Sequence, residues 1–294
     1  MTDTIAALAE ISGRYDALFC DLWGCLHNGK TPFPAAVAAL RAFRARGGSV
    51  VLMTNAPRPS QYVIRQLQGM GVPDDAWDLV VSSGDAAQDA MFAGAVGRRV
   101  YHLGPSKDDG FFTDIPDHHR SAPPVERVPL DQAEGIVCTG PFDELTETPE
   151  DYRANFLFAK ARGLKLLCAN PDIVVDLGDR RIYCAGALAQ AYDAMGGESL
   201  YYGKPHPPIY DLARRRLADL RGHQIEHAGF LAVGDGYDTD IRGAMAEGID
   251  SLFVTGGIFA EAFGPDPDAP DPGKLRDWIA GKDVAPTFAI PKLR

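Results

Sequence analysis

The sequence predicts an α/β protein in which a parallel sheet covered by helices on both faces is interrupted by a second α/β unit. Three observations carry this expectation. Short apolar runs alternate with stretches of helical spacing from residue 17 onward. Polar residues suited to one site follow the apolar runs directly, in one block before residue 85 and another after residue 200. The roughly 110 residues between those blocks contain no comparable cluster.

Taken in order, ALFC (17–20) reads as a strand. PAAVAALRAFRAR (34–46) reads as a helix with Val37, Leu40 and Phe43 on one face, closed by Gly47 and Gly48. VVLM (50–53), a helix carrying Val63, Ile64 and Leu67, and LVVS (79–82) complete a βαβαβ alternation. Such an alternation implies a parallel sheet, and ligands of parallel sheets bind at the strands' carboxyl ends. In the middle block RVYHL (99–103), GIVCTG (135–140) and LKLLCAN (164–170) read as strands. TPEDYRANFLFAKARG reads as a helix with Thr148 as N-cap, Pro149 at the first helical position and Gly163 at its end. LYYGKPHPPIYDLARRRLADL and FLAVGDGYDTDIRGAMAEGIDSLFVTGG resume strand–helix units. FGPDPDAPDPGK (263–274) reads as a solvated loop before a last helix around Trp278. The expected division is a core of residues 1–84 and 198–294 with an insert at 85–197.

Composition narrows the function classes. Twenty-nine basic against 40 acidic residues give a formal charge of −11, which disfavours nucleic acid because no excess cation is available to displace its counterions. A small anionic ligand stays open, since local N–H groups and one or two cations outweigh net charge inside a pocket. The five cysteines (Cys20, Cys25, Cys138, Cys168, Cys184) form no CxxC pair and read as reduced core thiols. The N-terminus MTDTIAALAEISGRY lacks a basic flank followed by an apolar stretch, and no apolar run is long enough to span a bilayer. The expectation is a cytoplasmic protein without membrane or nucleic-acid partners, its oligomeric state left open with a homodimer among the options.

The residues at the strand ends are Asp21, then Thr54 with Asn55, then Ser83, Lys204, and Asp235 with Asp240. A carboxylate attacks phosphorus only when the phosphate charge is neutralised. Lys204, together with a divalent ion held by Asp21, Asp235 and a backbone carbonyl, would do that. Hard oxygen ligands favour Mg2+. Thr54 can donate its hydroxyl to a phosphoryl oxygen. Each residue alone has an ordinary role in a turn or cap; together, in this order, they point to a phosphate-handling site.

DLWGCL (21–26), TNAP (54–57), GKPHPPIY (203–210) and GDGYDTDIRGAMAEGI (234–249) resemble the four motifs of the haloacid dehalogenase-like hydrolases. The branch looks like class IIA, that of sugar phosphatases, p-nitrophenylphosphatases and pyridoxal phosphatases, whose cap is inserted between the second and third motifs. SSGDA (82–86), GPFDELT (140–146), ANPD (169–172) and AGAL (185–188) are similar to cap stretches of that branch. The resemblance implies a Rossmann-like parallel-sheet core with an α/β cap domain, and a magnesium-dependent phosphatase acting on a small-molecule phosphate monoester. It implies Asp21 as nucleophile and metal ligand, Thr54 and Lys204 as phosphate-binding catalytic residues, and Asp235 as metal ligand. Asp240 would support the metal shell or position Lys204.

The family's second acid falls on Trp23. Its backbone carbonyl can still ligate magnesium, but an indole cannot exchange a proton with the leaving group. General acid–base help is worth ~10²–10⁴ in rate, or about 3–5 kcal/mol. Alkyl phosphates should suffer most, and aryl or acyl phosphates, which depart without a proton, least. His27 is the nearest alternative acid in sequence, the other reading being a local hydrogen bond beside the turn. The second motif departs too, continuing Asn55, Ala56, Pro57; Asn55 and Arg58 are candidate substrate contacts, with a solvated loop arginine the preferred reading of Arg58. In the insert Asp143, Asn170 and Asp172 follow strands and either face a substrate or form Asx turns. The rivals are a non-hydrolytic phosphate-binding or regulatory protein with a degenerate site, and carbon–halogen or carbon–phosphorus cleavage. The last would want a Schiff-base lysine in the cap, a duty the sequence does not assign to Lys160 or Lys165.

Overall fold

The computed structural model describes residues 2–177 and 180–294. The chain divides into two compact units, one of Met1–Thr54, Ile64–Val81 and Tyr210–Arg294, the other of Asn55–Val63 and Ser82–Ile209.

The first unit is built on a seven-stranded sheet in the order Asp3–Thr4, Phe288–Ile290, Asp250–Val254, Phe230–Gly234, Ala17–Cys20, Ser49–Thr54, Leu79–Ser82. Phe230–Gly234 and Ser49–Thr54 both pair parallel with Ala17–Cys20, so these three apolar runs become interior strands, while Leu79–Ser82 takes the edge. Every residue of these three strands is buried. That continuous apolar character, without alternation, is what a parallel strand covered on both faces requires. The two terminal strands are only two and three residues long, and strands that short leave no periodic signal in the sequence.

The segment at 263–274 differs from the solvated loop expected. Phe263 is buried in a cluster with Tyr237, Ile241, Phe253, Leu275 and Val284. Trp278 stacks on Phe253 with ring centroids 5.5 Å apart and meets Phe263 edge-on. The last helix, Pro272–Ala280, starts within the segment because Asp271 Oδ1 caps it, accepting from Gly273 N at 2.8 Å and Lys274 N at 2.9 Å. Only the stretch between these anchors behaves as a loop.

The second unit carries its own five-stranded parallel sheet, in the order Glu198–Tyr201, Lys165–Cys168, Gly135–Cys138, Arg99–Leu103, Glu126–Arg127. Both of its faces are covered. Ile136, Cys138, Leu166 and Cys168 point to a layer containing Phe156, Leu188 and Tyr192, whereas Val137 and Leu167 point to Ala87, Met91, Phe92 and Phe111. The helix expected from Thr148 begins as a 3-10 turn, Pro149–Tyr152, before Arg153–Ala161. Thr148 donates from its N–H and Oγ1 to Asp151 Oδ2 at 2.7 and 2.9 Å. Val174–Leu177 and Arg180–Tyr183 pair antiparallel in a separate two-stranded sheet.

All five cysteines are buried thiols. No helix among the described residues is long and apolar enough to cross a membrane. Because Phe253 anchors both the sheet and the Trp278 cluster, Phe253→Ala should lower stability by about 3–5 kcal/mol, read as an earlier urea midpoint with early loss of the tryptophan signal.

Candidate active site

Asp21, Thr54 and Asp235 lie at the carboxyl ends of three neighbouring parallel strands. Cys20 is in register with Val233 on one side and Leu52 on the other, and Asp21 N donates to Val233 O at 2.8 Å, carrying the ladder one residue further. Asp21 and Asp235 therefore emerge side by side. Their carboxylate oxygens and the Cys25 sulfur all lie within 4.8 Å of one another. Thr54 is buried at its strand end.

A tight turn returns the chain over this point. Leu26 N and His27 N both donate to Leu22 O, at 2.8 and 3.0 Å, and Gly24 N donates to His27 O at 3.0 Å. Gly24 has φ +71°, and any Cβ there would overlap the Asp235 carboxylate. Glycine is thus required twice over, by conformation and by space. Asp235 Oδ2 accepts from Ile258 N at 2.8 Å. Asp240, in the turn Tyr237–Ile241, is buried and accepts from Gly236 N at 3.1 Å through Oδ2. Burial, reinforced by the charges of Asp235 and Asp21, pushes the Cys25 thiol well above its ordinary range. It stays a neutral thiol, so the anionic donors offered here are carboxylate oxygens, the hard set that suits Mg2+.

Trp23 is 42% exposed, whereas its neighbours Leu22, Cys25, Leu26 and His27 are buried. Its indole lies against Gly29, whose φ is +85° and whose missing Cβ leaves the space the ring occupies. The His27 ring meets it edge-on at 5.6 Å. His27 Nδ1 accepts from Gly29 N at 2.9 Å, and burial lowers the ring's pKa to about 4. His27 is therefore neutral at pH 7 and its Nδ1 is committed to the turn, which speaks for the local hydrogen-bond reading rather than a stand-in acid.

Asn55, Arg58, Asp172 and Lys204 belong to the second unit. Asn55 is buried and its amide works as a fork. Oδ1 accepts from Lys204 N at 2.7 Å, while Nδ2 donates to Lys204 O at 2.9 Å and to Asp172 Oδ1 at 2.8 Å. Asn170 Oδ1 in turn accepts from Asp172 N at 2.9 Å, an Asx turn after the strand. Ser83 Oγ donates to the carbonyls of Asn55 and Ala169. Arg58 is held through its backbone, its carbonyl accepting from Ser82 Oγ at 2.7 Å. Asp143 binds its own loop, accepting from Leu145 N at 2.9 Å and Thr146 Oγ1 at 2.7 Å.

Sequence reasoning overlooked two participants and one contact. Cys25 reads from sequence as one of five reduced core thiols, yet its sulfur lies within 4.8 Å of a carboxylate oxygen of both Asp21 and Asp235. Ile258, which supplies an N–H to Asp235, follows the TGG that ends an apolar strand, a signal present in the sequence. The fork of Asn55 on Lys204 joins residues 149 apart and leaves no local trace.

Two outcomes follow. Asn55→Ala would strand a buried N–H and a buried C=O of Lys204, and should cost at least about 1–3 kcal/mol, measured by thermal or urea unfolding. Gly29→Ala forces an alanine into the left-handed region beneath Trp23, and should cost about 1–3 kcal/mol with an altered tryptophan emission spectrum.

A family model described as haloacid dehalogenase-like hydrolase matches residues 18–114, and a second, HAD-hydrolase-like, matches 201–278. A crystal structure of a haloacid dehalogenase-like family hydrolase from Brucella suis 1330 is 40% identical, with a TM-score of 0.83 over 99% of this chain and 100% of that one. D-glycerol 3-phosphate phosphatase of Mycobacterium tuberculosis is 28% identical over 85% of this chain. The match spans 66% of that protein's length, and 34% of a dihydroxyacetone phosphatase from Corynebacterium glutamicum. A glycerol phosphate phosphatase from Mycobacterium tuberculosis, crystallised in complex with magnesium, shares the fold at 24% identity and a TM-score of 0.68, over 95% of this chain and 76% of that one. With its motifs, its sheet and the full-length 40% identity in agreement, the chain belongs to the haloacid dehalogenase-like hydrolase family.

Proposed function

We propose that the chain is a magnesium-dependent phosphatase that hydrolyses a small-molecule phosphate monoester through an aspartyl-phosphate on Asp21. The observation carrying this reading is the pair of carboxylates, Asp21 and Asp235, side by side at two parallel strand ends. The phosphatase relatives support it.

Asp21, Asp235 and the backbone carbonyl of Trp23 would hold Mg2+, with Asp240 behind them. When bound, the ion neutralises phosphate charge and allows an anionic nucleophile to approach. The donor chemistry at the strand ends fits it, and so does the magnesium complex of the mycobacterial protein of the same fold. In the proposed reaction a carboxylate oxygen of Asp21 bonds to phosphorus as the ester oxygen departs. Water then cleaves the phospho-aspartate, releasing inorganic phosphate and restoring the carboxylate. Thr54 donates its hydroxyl to a phosphoryl oxygen, and Lys204 supplies the fixed cation. Asn55 sets the Lys204 backbone, and Asp172 steadies Asn55. Residues 1–84 and 198–294 are taken as the catalytic core, with 85–197 as the cap that selects the substrate.

Trp23 sets the profile. Without a carboxyl at that position the departing oxygen takes its proton from water, so leaving groups that need none are favoured. Trp23 also supports the second reading, a phosphate-binding protein that has given up turnover.

The deciding experiment is phosphate release from aryl, acyl and alkyl phosphates with Mg2+ and with EDTA. Turnover should require the metal, vanish in Asp21→Asn and favour aryl and acyl esters. Trp23→Asp should raise the alkyl phosphate rate by ~10²–10⁴ and change the aryl rate little. Phosphate binding without release or phosphoenzyme across the panel would favour the binding protein.

A further inference from the structure

We propose that Asp89, His118 and His119 of the second unit form a binding site for a borderline divalent cation, Zn2+ foremost. The cluster belongs to neither the proposed nucleophile nor its metal pair. Asp89 stands on the helix Ser83–Ala93, and the histidines lie on the 3-10 turn Asp117–His119. Adjacent side chains on an extended chain would diverge, but here the turn brings the two imidazoles to a centroid distance of 4.2 Å. Both aim Nε2 at the same carboxylate oxygen, His118 at 2.8 Å and His119 at 3.0 Å from Asp89 Oδ1.

Those are hydrogen-bond spacings, and they hold two imidazole nitrogens and a carboxylate oxygen as one group. Zinc bonds to His nitrogen and carboxylate oxygen are about 2.0–2.2 Å long, so neighbouring donors on one tetrahedral ion lie about 3.3–3.6 Å apart. The two N···O edges need open by only a few tenths of an ångström to admit the ion, and all three ligand atoms lie within 4.8 Å of one another. Two imidazoles and one carboxylate favour zinc, nickel or copper over magnesium or calcium.

The surroundings hold the donors in place. His119 packs on Phe92, three residues beyond Asp89 on the same helix, with centroids 5.5 Å apart. Buried Gln88 ties down the approach to the turn, its Nε2 donating to Phe111 O at 2.9 Å and Asp114 O at 3.0 Å. The His119 and Asp89 side chains are 16% and 18% exposed, while His118 is 56% exposed, leaving a wet side for a water ligand. Three protein ligands with an open fourth position can bind zinc tightly. The ion would tie the 115–119 segment to the helix and replace two hydrogen bonds by three coordinate bonds.

The test uses tag-free full-length protein in excess Mg2+, titrated with ZnCl2 by calorimetry and with CoCl2 by visible absorption. The expected result is one ion per chain, an upward shift in the unfolding temperature, and at least a tenfold loss of affinity in His118→Gln and in Asp89→Asn. His118→Gln removes an exposed side chain and so keeps the test valid if the His119 variant fails to fold. Binding that is unchanged in these variants but lost in Cys25→Ser would put the ion at the strand ends and overturn the proposal. So would a wild-type affinity weaker than millimolar. Neither outcome depends on phosphatase activity.

Discussion

Two carboxylates held within 4.8 Å of each other are the constraint around which the first unit is organised. At an effective dielectric of ~20, unit charges at that separation repel by about 3 kcal/mol or more. The fold imposes the pair through backbone alone. Ala17–Cys20 and Phe230–Gly234 are hydrogen-bonded neighbours in fixed register, and Asp21 and Asp235 are the next residues along. The turn after Asp21 then has to pass Asp235 without a side chain, which explains Gly24. A cation would relieve the repulsion, and sheet geometry alone creates that demand.

The DLWGCLHNGK turn answers two demands. It brings the Cys25 sulfur to the carboxylates while burial keeps that thiol neutral, preserving the oxygen character of the donor set. It also lays a large ring on Gly29 at the surface. An indole there contributes a flat apolar face and a nonacidic N–H, so this position offers shape where a carboxyl would offer a proton. The acceptor nitrogen of His27 is used to close the turn that supports the ring.

In the second unit buried polar groups are arranged for position. The Asn55 amide satisfies both backbone groups of Lys204 and reaches Asp172, so three residues distant in sequence form one network. A lysine whose backbone is fixed in this way presents its side chain from a defined origin. The same unit gathers Asp89 with His118 and His119 by a different device, a helix face and a short turn.

The sequence by itself determined the order of the longer strands and helices and the location of Asp21, Thr54 and Asp235 just at or beyond buried strands. A run such as ALFC or FLAVG is apolar throughout because both sheet faces are covered, and the first polar residue after it marks the strand end. The motifs around those ends were equally legible. Tertiary structure alone decided which strands are neighbours, and hence that Asp21 and Asp235 meet, that Cys25 joins them, and that the Asn55 amide serves Lys204. It also decided that Phe263 closes a core which its Pro/Asp-rich flank concealed. Periodicity encodes which face of an element is buried; it carries no information about which partner buries it, and that is settled only when the chain closes its long-range contacts.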